Sequence, residues 1–332
     1  METMIISQEE VPGLLPMDEC IAAVRQALGD LALGHGIQPL RPVMWLPEKV
    51  GALGMMPGYL SSIKTIGIKA ITVFPSNAGT EYDSHQGTVM LFDASNGALK
   101  AVIDATEITA IRTAAVSAVA TDLLARPDSS VLTVLGSGVQ GRAHIEAIPL
   151  VRPIDEIRVW SRNPANARRL VESEIGGVAR IHVVESVVAA VEGADIVCTT
   201  TSSSGAILPG FLLEPGTHIN AVGSSVPFAR ELDSEAIGKA RVFVDSRESA
   251  LNESGDFLMA RADGAVDDDD ILAEIGELIV GSHPGRGKED EITLFISVGV
   301  AVEDIAAGDL VYRNALAAGK GVGISLGGAR HD

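Results

Sequence analysis

The apolar positions of this chain change period twice. Between residues 17 and 33, Ile21, Val24, Leu28 and Leu31 fall on one face at helical spacing, with Asp18 and Glu19 in the first turn. The spacing predicts a helix that Gly34 and Gly36 end. From 39 to 103 the segments RPVMWL, ALGMMPGYL, IGIKAITVF, GTVMLFD and ALKAVID read as strands of a largely antiparallel region. Asn96-Gly97, between the last two, is a hairpin signal. A helix rich in small residues is expected from Thr109 to Arg126, stopped by Pro127 and Asp128. From 131 the strands become short and wholly apolar, at 131–135, 156–160, 181–184, 195–200, 217–222 and 241–245. Segments such as PANARRLVES and ESVVAAVEGA between them suit helices. Such alternation indicates a parallel sheet covered on both faces. Residues 263–291 read as irregular and acidic, with Asp267 to Asp270 consecutive. A last strand, TLFISVG, leads to a helix near 302–318 and a glycine-rich tail.

The expected fold class is α/β, with a doubly wound parallel-sheet domain beside a mixed α+β domain. The 332 residues suit about two domains, and a hydrophobic fraction of 46% supports a large core. Twenty-five Lys and Arg stand against 44 Asp and Glu, a formal charge of −19. So acidic a chain is not expected to bind nucleic acid or an anionic membrane surface. It has two distant cysteines, Cys20 and Cys198, and its first residues, METMIISQEEV, do not read as a signal peptide. A cytoplasmic, reducing location is therefore expected, with no transmembrane helix. The seven scattered histidines form no ligand motif, so no metal is expected.

Directly after the first apolar strand stands Gly136-Ser-Gly138-Val-Gln-Gly141, a GxGxxG run between strand and helix. Gly136 permits a tight turn, Gly138 lets the backbone approach a pyrophosphate, and Gly141 lets the helix pack close. The helix N-terminus then offers N–H donors to the phosphates. The second strand ends in Trp160-Ser161-Arg162-Asn163, where an NAD site usually carries an acid. A hydroxyl and a guanidinium suit a 2′-phosphate, so NADP(H) is expected ahead of NAD(H).

Three basic residues stand out in the first half. Lys69 shares a strand face with Ile71 and Val73, where it must reach solvent, a partner or a ligand. Arg112 falls in the first turn of the expected small-residue helix, where a salt bridge or an anionic ligand would offset the dipole. Arg41 precedes Pro42 at a strand start.

The segments MPGY (56–59), GIKAIT with Lys69, SHQGTVMLFD (84–93), TAIRTAAVSAVA (109–120), GSGVQGRAH (136–144), AVGSSVPFARELD (221–233) and ISVGVAVEDIAA (296–307) together resemble the ornithine cyclodeaminase/mu-crystallin family over nearly the whole chain. The resemblance implies a homodimer. It implies a substrate and dimerisation domain of residues 1–117 and 307–332, and a Rossmann domain of 118–306. Arg41, Lys69 and Arg112 would hold the substrate's carboxylate and reacting nitrogen, with Gln86 in the same pocket. The cofactor would meet Thr113, Gly136, Gly138, Val139, Gln140, Gly141, Ser161, Arg162, Asn163, Thr199, Thr200, Ala221 and Val298. Cyclodeaminases of the family carry Asp in the VGxD segment, where this chain has Ser225. A serine cannot act as a carboxylate base or pair with an ammonium.

The departure points to the ketimine-reductase branch, with NAD(P)H-dependent reduction of Δ1-pyrroline-2-carboxylate to L-proline or of Δ1-piperideine-2-carboxylate to L-pipecolate. Arg41 and Arg112 would clamp the carboxylate. Lys69 would donate to or position the imine nitrogen, its pKa lowered by the two arginines. Ser225 would orient a water or that nitrogen, or simply satisfy its own loop. The alternatives are an ornithine or lysine cyclodeaminase, an alanine-type dehydrogenase, and an NADPH-dependent binder of a small ligand.

Overall fold

In the computed structural model, residues 2–77, 79–173 and 180–326 are described. The chain divides into two units, Met1–Arg112 with Val300–Asp332, and Thr113–Gly299. The divisions fall at 112/113 and 299/300 rather than at the expected 117/118 and 306/307.

The first unit is built on one eight-stranded sheet. Its strands are β1 (Glu2–Ile6), β2 (Gly36–Ile37), β3 (Val43–Trp45), β4 (Ala52–Leu60), β5 (Thr65–Val73), β6 (His85–Asp93) and β7 (Leu99–Asp104), joined late by β16 (Val322–Ser325). The order is β16-β1-β7-β6-β5-β4-β2, with β3 also on β4. All pairs are antiparallel except β1 with β7. The Asn96-Gly97 turn lies between β6 and β7 as expected, with Gly97 at φ 74°. The edge strand β16 and its neighbour β1 were not expected. β16 occupies the start of the glycine-rich tail, of which residues 327–332 lie outside the described residues.

The helices Met17–Ala32 and Ala301–Ala318 pack on each other, and the second lies on β4, β5 and β6. Its close approach needs Gly67, since a Cβ there would stand 2.6 Å from the Ile305 side chain. Val24, Leu28, Met56, Val89, Leu91 and Ile305 form the apolar layer between. Each such fully buried side chain contributes about 1.5–3 kcal/mol.

The second unit holds a wholly parallel sheet. Its strands are β8 (Val131–Leu135), β9 (Glu156–Trp160), β10 (Arg180–Val183), β11 (Ile196–Thr199), β12 (His218–Ala221), β13 (Arg241–Val244), β14 (Ile271–Glu274) and β15 (Thr293–Ile296). They run β10-β9-β8-β11-β12-β15-β13-β14. The order reverses between β8 and β11, the switch point where doubly wound sheets bind ligands. Leu135, Val197, Ile219, Val244, Phe257 and Ile296 are buried in its core.

Two expectations need correction. Residues 263–291 are not irregular throughout, because they contain β14 and a short helix, Ile275–Ile279. The helix expected from Thr109 begins at Ala105, so Arg112 lies about two turns inside it and not in its first turn.

Candidate active site

Lys69 lies mid-way along β5, opposite Met56 of β4 and Val89 of β6. Its face of the sheet is the one covered by the helix Ala301–Ala318, and the residue is 2% exposed. A buried ammonium needs a partner. The Lys69 Nζ lies 2.8 Å from Asp304 Oδ2. Arg112 shares the same carboxylate, its Nε donating to Asp304 Oδ1 at 2.8 Å, and its Nη1 donates to Glu303 Oε2 at 2.6 Å. Glu303 and Asp304 stand in the first turn of their helix, at the end of the macrodipole that favours negative charge.

This arrangement sets the protonation states. Burial, above all, lowers the Lys69 amine to about 8; Asp304 opposes the shift, and Arg112 and Arg41 add to it. The expected depression is thus present, but burial is the main cause and the arginines contribute less. Burial pushes the Asp304 carboxyl up, yet Arg112 and Lys69 outweigh it and hold that carboxyl below the usual range. The result is an amine that changes protonation close to neutrality, on an anchored carboxylate. Arg41, in the segment before β3, is half-buried and reaches the cluster through its charge on Lys69. Arg112 is not simply a clamp for a ligand, because its guanidinium is already shared between two protein carboxylates.

Gln86 does not join this group. It pairs with Thr72, one position out of phase with Lys69, so it faces the other side of the sheet. There its Nε2 donates to the Asp83 carbonyl at 3.0 Å, and it lines a cavity of about 460 Å³ with Gln8, Tyr82 and Asp104. Its neighbour His85, opposite Val73, is on the face of Lys69. Loss of water around its ring and the Lys69 charge hold the His85 imidazole below its ordinary value, although Asp83 opposes the shift. The sequence reading missed His85, Glu303 and Asp304. Two adjacent acids in the first turn of a helix whose next turn is apolar were the available signal for the last two.

The second unit gathers the residues expected around a dinucleotide. Gly136 follows β8 with φ 132°, and a Cβ there would stand 2.5 Å from Thr200 Oγ1. At Gly141 a Cβ would stand 2.4 Å from the Gly136 carbonyl oxygen, the close packing expected of the third glycine. At Gly138 a side chain would meet nothing within 4 Å beyond its own neighbours in the chain, which leaves a cradle open to a phosphate. Val139 and Gln140 open the helix Val139–Ala147, which Gly138 caps. Ser161, Arg162 and Asn163 follow β9. Ser137 Oγ donates to Ser161 Oγ at 2.9 Å, Arg162 is exposed, and Asn163 Oδ1 accepts from the Ala165 N–H at 3.1 Å as a helix cap. Thr199, Thr200, Ala221 and Val298 stand at the carboxyl ends of β11, β12 and β15 or just beyond, all buried, as is Thr113. Ser225 is exposed in the loop after β12. These residues fit a dinucleotide phosphate group at the Gly138 cradle, with a hydroxyl and a guanidinium beyond the second strand. Among the described residues no group of three His, Cys, Asp or Glu could hold a metal ion, and no helix is long and apolar enough to cross a membrane.

Comparison with known proteins bears on this geometry. The profile of the ornithine cyclodeaminase/mu-crystallin family matches residues 1–319. The ketimine reductase mu-crystallin of Mus musculus is 42% identical over 311 residues, 92% of this chain and 96% of that protein. A Δ1-pyrroline-2-carboxylate reductase of Bacillus cereus is 35% identical over 322 residues, 96% of this chain and 98% of its own. Among solved structures, the Thermococcus litoralis Δ1-pyrroline-2-carboxylate reductase in complex with NADH and L-proline superposes with a TM-score of 0.94 at 37% identity, covering 97% of this chain and 100% of that one.

Proposed function

Because this chain belongs to the ornithine cyclodeaminase/mu-crystallin family, we propose that it is an NAD(P)H-dependent oxidoreductase that reduces the C=N bond of a cyclic 2-imino acid. The substrate is Δ1-pyrroline-2-carboxylate, giving L-proline, or Δ1-piperideine-2-carboxylate, giving L-pipecolate, or both. The observation that carries the reading is the buried Lys69–Asp304–Arg112 cluster, and the sequence adds a serine at 225 where cyclodeaminases of the family carry a carboxylate. A cluster that keeps a protonated amine near neutrality suits an imine nitrogen that must gain a proton. A loop without a carboxylate does not suit release of ammonia from a side-chain amine.

Arg41 and Arg112 hold the substrate carboxylate through charge-assisted hydrogen bonds, which fixes the imine carbon and supplies proximity. Lys69 Nζ holds a proton against the imine nitrogen, and Asp304 keeps that amine charged although it is buried. When bound, the nicotinamide supplies the hydride. The carbon gains that hydride, the nitrogen gains the proton, and the π bond between them becomes a C–H and an N–H bond. Ser225 orients the nitrogen or a water beside it.

Ser161 and Arg162 favour NADP(H) over NAD(H), since a hydroxyl and a planar cation recognise a 2′-phosphate. Gly136, Gly138 and Gly141 carry the pyrophosphate with the helix they open. The reading includes a homodimer in the cytoplasm, in keeping with two free, buried cysteines.

The test is NAD(P)H oxidation with a panel of cyclic and acyclic imino and keto acids, with and without ammonia. Turnover with the cyclic imino acids and no ammonia requirement is expected. Turnover only with a keto acid plus ammonia would instead make it an amino-acid dehydrogenase. Lys69→Ala is expected to lose turnover while still binding NADPH, and near-normal turnover in that variant would refute the mechanism.

A further inference from the structure

Residues 222–233, which carry Ser225, form no helix or strand beyond a single bridge between Leu208 and Leu232. Something other than regular structure must hold them. The most connected side chain there is Glu231, fully buried and outside the chemistry described above. Its Oε1 accepts from both the N–H and the hydroxyl of Thr201, each at 2.6 Å. Its Oε2 accepts from the Gly223 N–H at 2.7 Å. Thr201 lies just beyond β11 and Gly223 just beyond β12, so one carboxylate fastens two loops at the carboxyl edge of the sheet. Gly223 is fitted to this contact, because a Cβ there would stand 2.1 Å from the Thr201 carbonyl oxygen and 2.5 Å from Glu231 Oε2.

Glu231 is itself held in place. Its N–H and that of Leu232 both donate to Asp256 Oδ1 at 2.8 Å, from the first turn of the helix Gly255–Ala262. Ser224 Oγ donates to the Ala229 carbonyl. Burial pushes the Glu231 carboxyl up, while the hydrogen bonds from Thr201 and Gly223 oppose that shift and favour its anion. Burying an anion among loop backbone is costly, and an apolar residue would fill that volume at less expense. What the carboxylate adds is a fixed geometry for two loops.

We propose that Glu231 is a positioning residue, whose carboxylate locks the Gly223–Ala229 loop to the loop after β11 and so sets Ser225 for the reaction. The inference rests on the reductase reading for its kinetic arm. It deepens that reading by assigning a residue that touches neither substrate nor reacting atoms.

The test uses the full chain with Glu231→Gln, whose amide turns a donor toward the Gly223 N–H. Turnover number with Δ1-pyrroline-2-carboxylate at saturating NADPH should fall about 10-fold or more, the effect of one unsatisfied buried donor. The NADPH dissociation constant should stay within about threefold, because the Gly136–Gly141 loop is untouched, and amide exchange at Gly223 should accelerate about 10-fold or more. Gly223→Ala displaces the same loop from the other side, so the double variant should be no slower than the slower single one. If Glu231→Gln fails to fold, Thr201→Val removes one donor of the three. A smaller loss of turnover at unchanged NADPH affinity is then expected.

Turnover within about twofold of the parent in either variant would overturn the proposal. So would equal losses of turnover, NADPH affinity and melting temperature, which mark a general folding defect, and so would additive effects in the double variant. If the parent reduces no cyclic imino acid, the reductase reading fails. Exchange at Gly223 then decides this one alone: unchanged protection in Glu231→Gln overturns it and lost protection supports it.

Discussion

Asp304→Asn keeps the shape of a side chain and removes its charge from between Lys69 and Arg112. At the observed 2.8 Å, and with an effective dielectric of about 20, the Lys69–Asp304 attraction is about 6 kcal/mol, a ceiling that relaxation and entering water reduce. Even a quarter of it, about 1.5 kcal/mol, corresponds to about one pH unit. The Lys69 amine, at about 8 in the parent, should therefore drop by at least about one unit in the variant. The proton-bearing amine is the working form, so activity is lost as pH rises through this value. The alkaline limb of kcat/KM should move from near 8 to about 7 or lower. The assay is a pH–rate profile with Δ1-pyrroline-2-carboxylate, followed by NADPH absorbance. Losing one partner of a buried ion pair also costs about 3–5 kcal/mol of stability, so the profile must be taken well below the variant's melting temperature. An alkaline limb that stays put, or moves upward, refutes the assignment of Lys69 as the proton donor.

Arg162→Asp should shift preference from NADPH toward NADH by about 10-fold or more, read as the ratio of kcat/KM values, since an acid there repels a 2′-phosphate and accepts from a 2′-hydroxyl. A native preference for NADH would refute the reading of that loop. Asp256 is raised from 3.8 to about 7 in the folded chain, chiefly by burial. Its contribution to stability is therefore present below about 4 and is lost as pH rises through about 7. Asp256→Asn keeps an oxygen for the Glu231 and Leu232 N–H groups, and should flatten that slope in chemical unfolding between about pH 5 and about pH 8. Identical slopes in parent and variant would count against it. Gly67→Ala places a methyl 2.6 Å from Ile305 and should cost about 1–3 kcal/mol in unfolding, by overpacking under the helix that carries Asp304.

Much of the second unit was legible because its strands are wholly apolar and separated by helical segments. The strands called at 131–135 and 156–160 are β8 and β9, and that called at 241–245 ends one residue past β13. β14 was missed because Ile-Leu-Ala-Glu is short and follows four consecutive acids, so only its pairing with β13 makes it a strand. β1 and the edge strand β16 are made by pairing between the two ends of the described chain, which no local pattern reveals. At the site, the period-two rule placed Lys69 correctly on the covered face of β5. Gln86 rested on the resemblance alone, and only the register of β5 with β6 shows that it faces away from Lys69 while His85 shares the Lys69 face. Glu303 and Asp304 lie 191 and 192 residues from Arg112 in sequence, and their partnership appears only when the last long helix returns to the first sheet.

That return has a consequence for how the protein is made. Lys69 and Arg112 leave the ribosome long before the carboxylates that neutralise them. At about 5–20 residues per second, the 191 residues between Arg112 and Glu303 take about 10–40 seconds to synthesise. Throughout that interval the nascent first sheet holds cations it cannot bury. The parallel sheet of residues 113–299 is completed late as well, because β15 (Thr293–Ile296), which lies between β12 and β13, is made only a few residues before Glu303. Both units therefore close near the end of synthesis, and the proton-handling centre forms only once the closing helix has emerged.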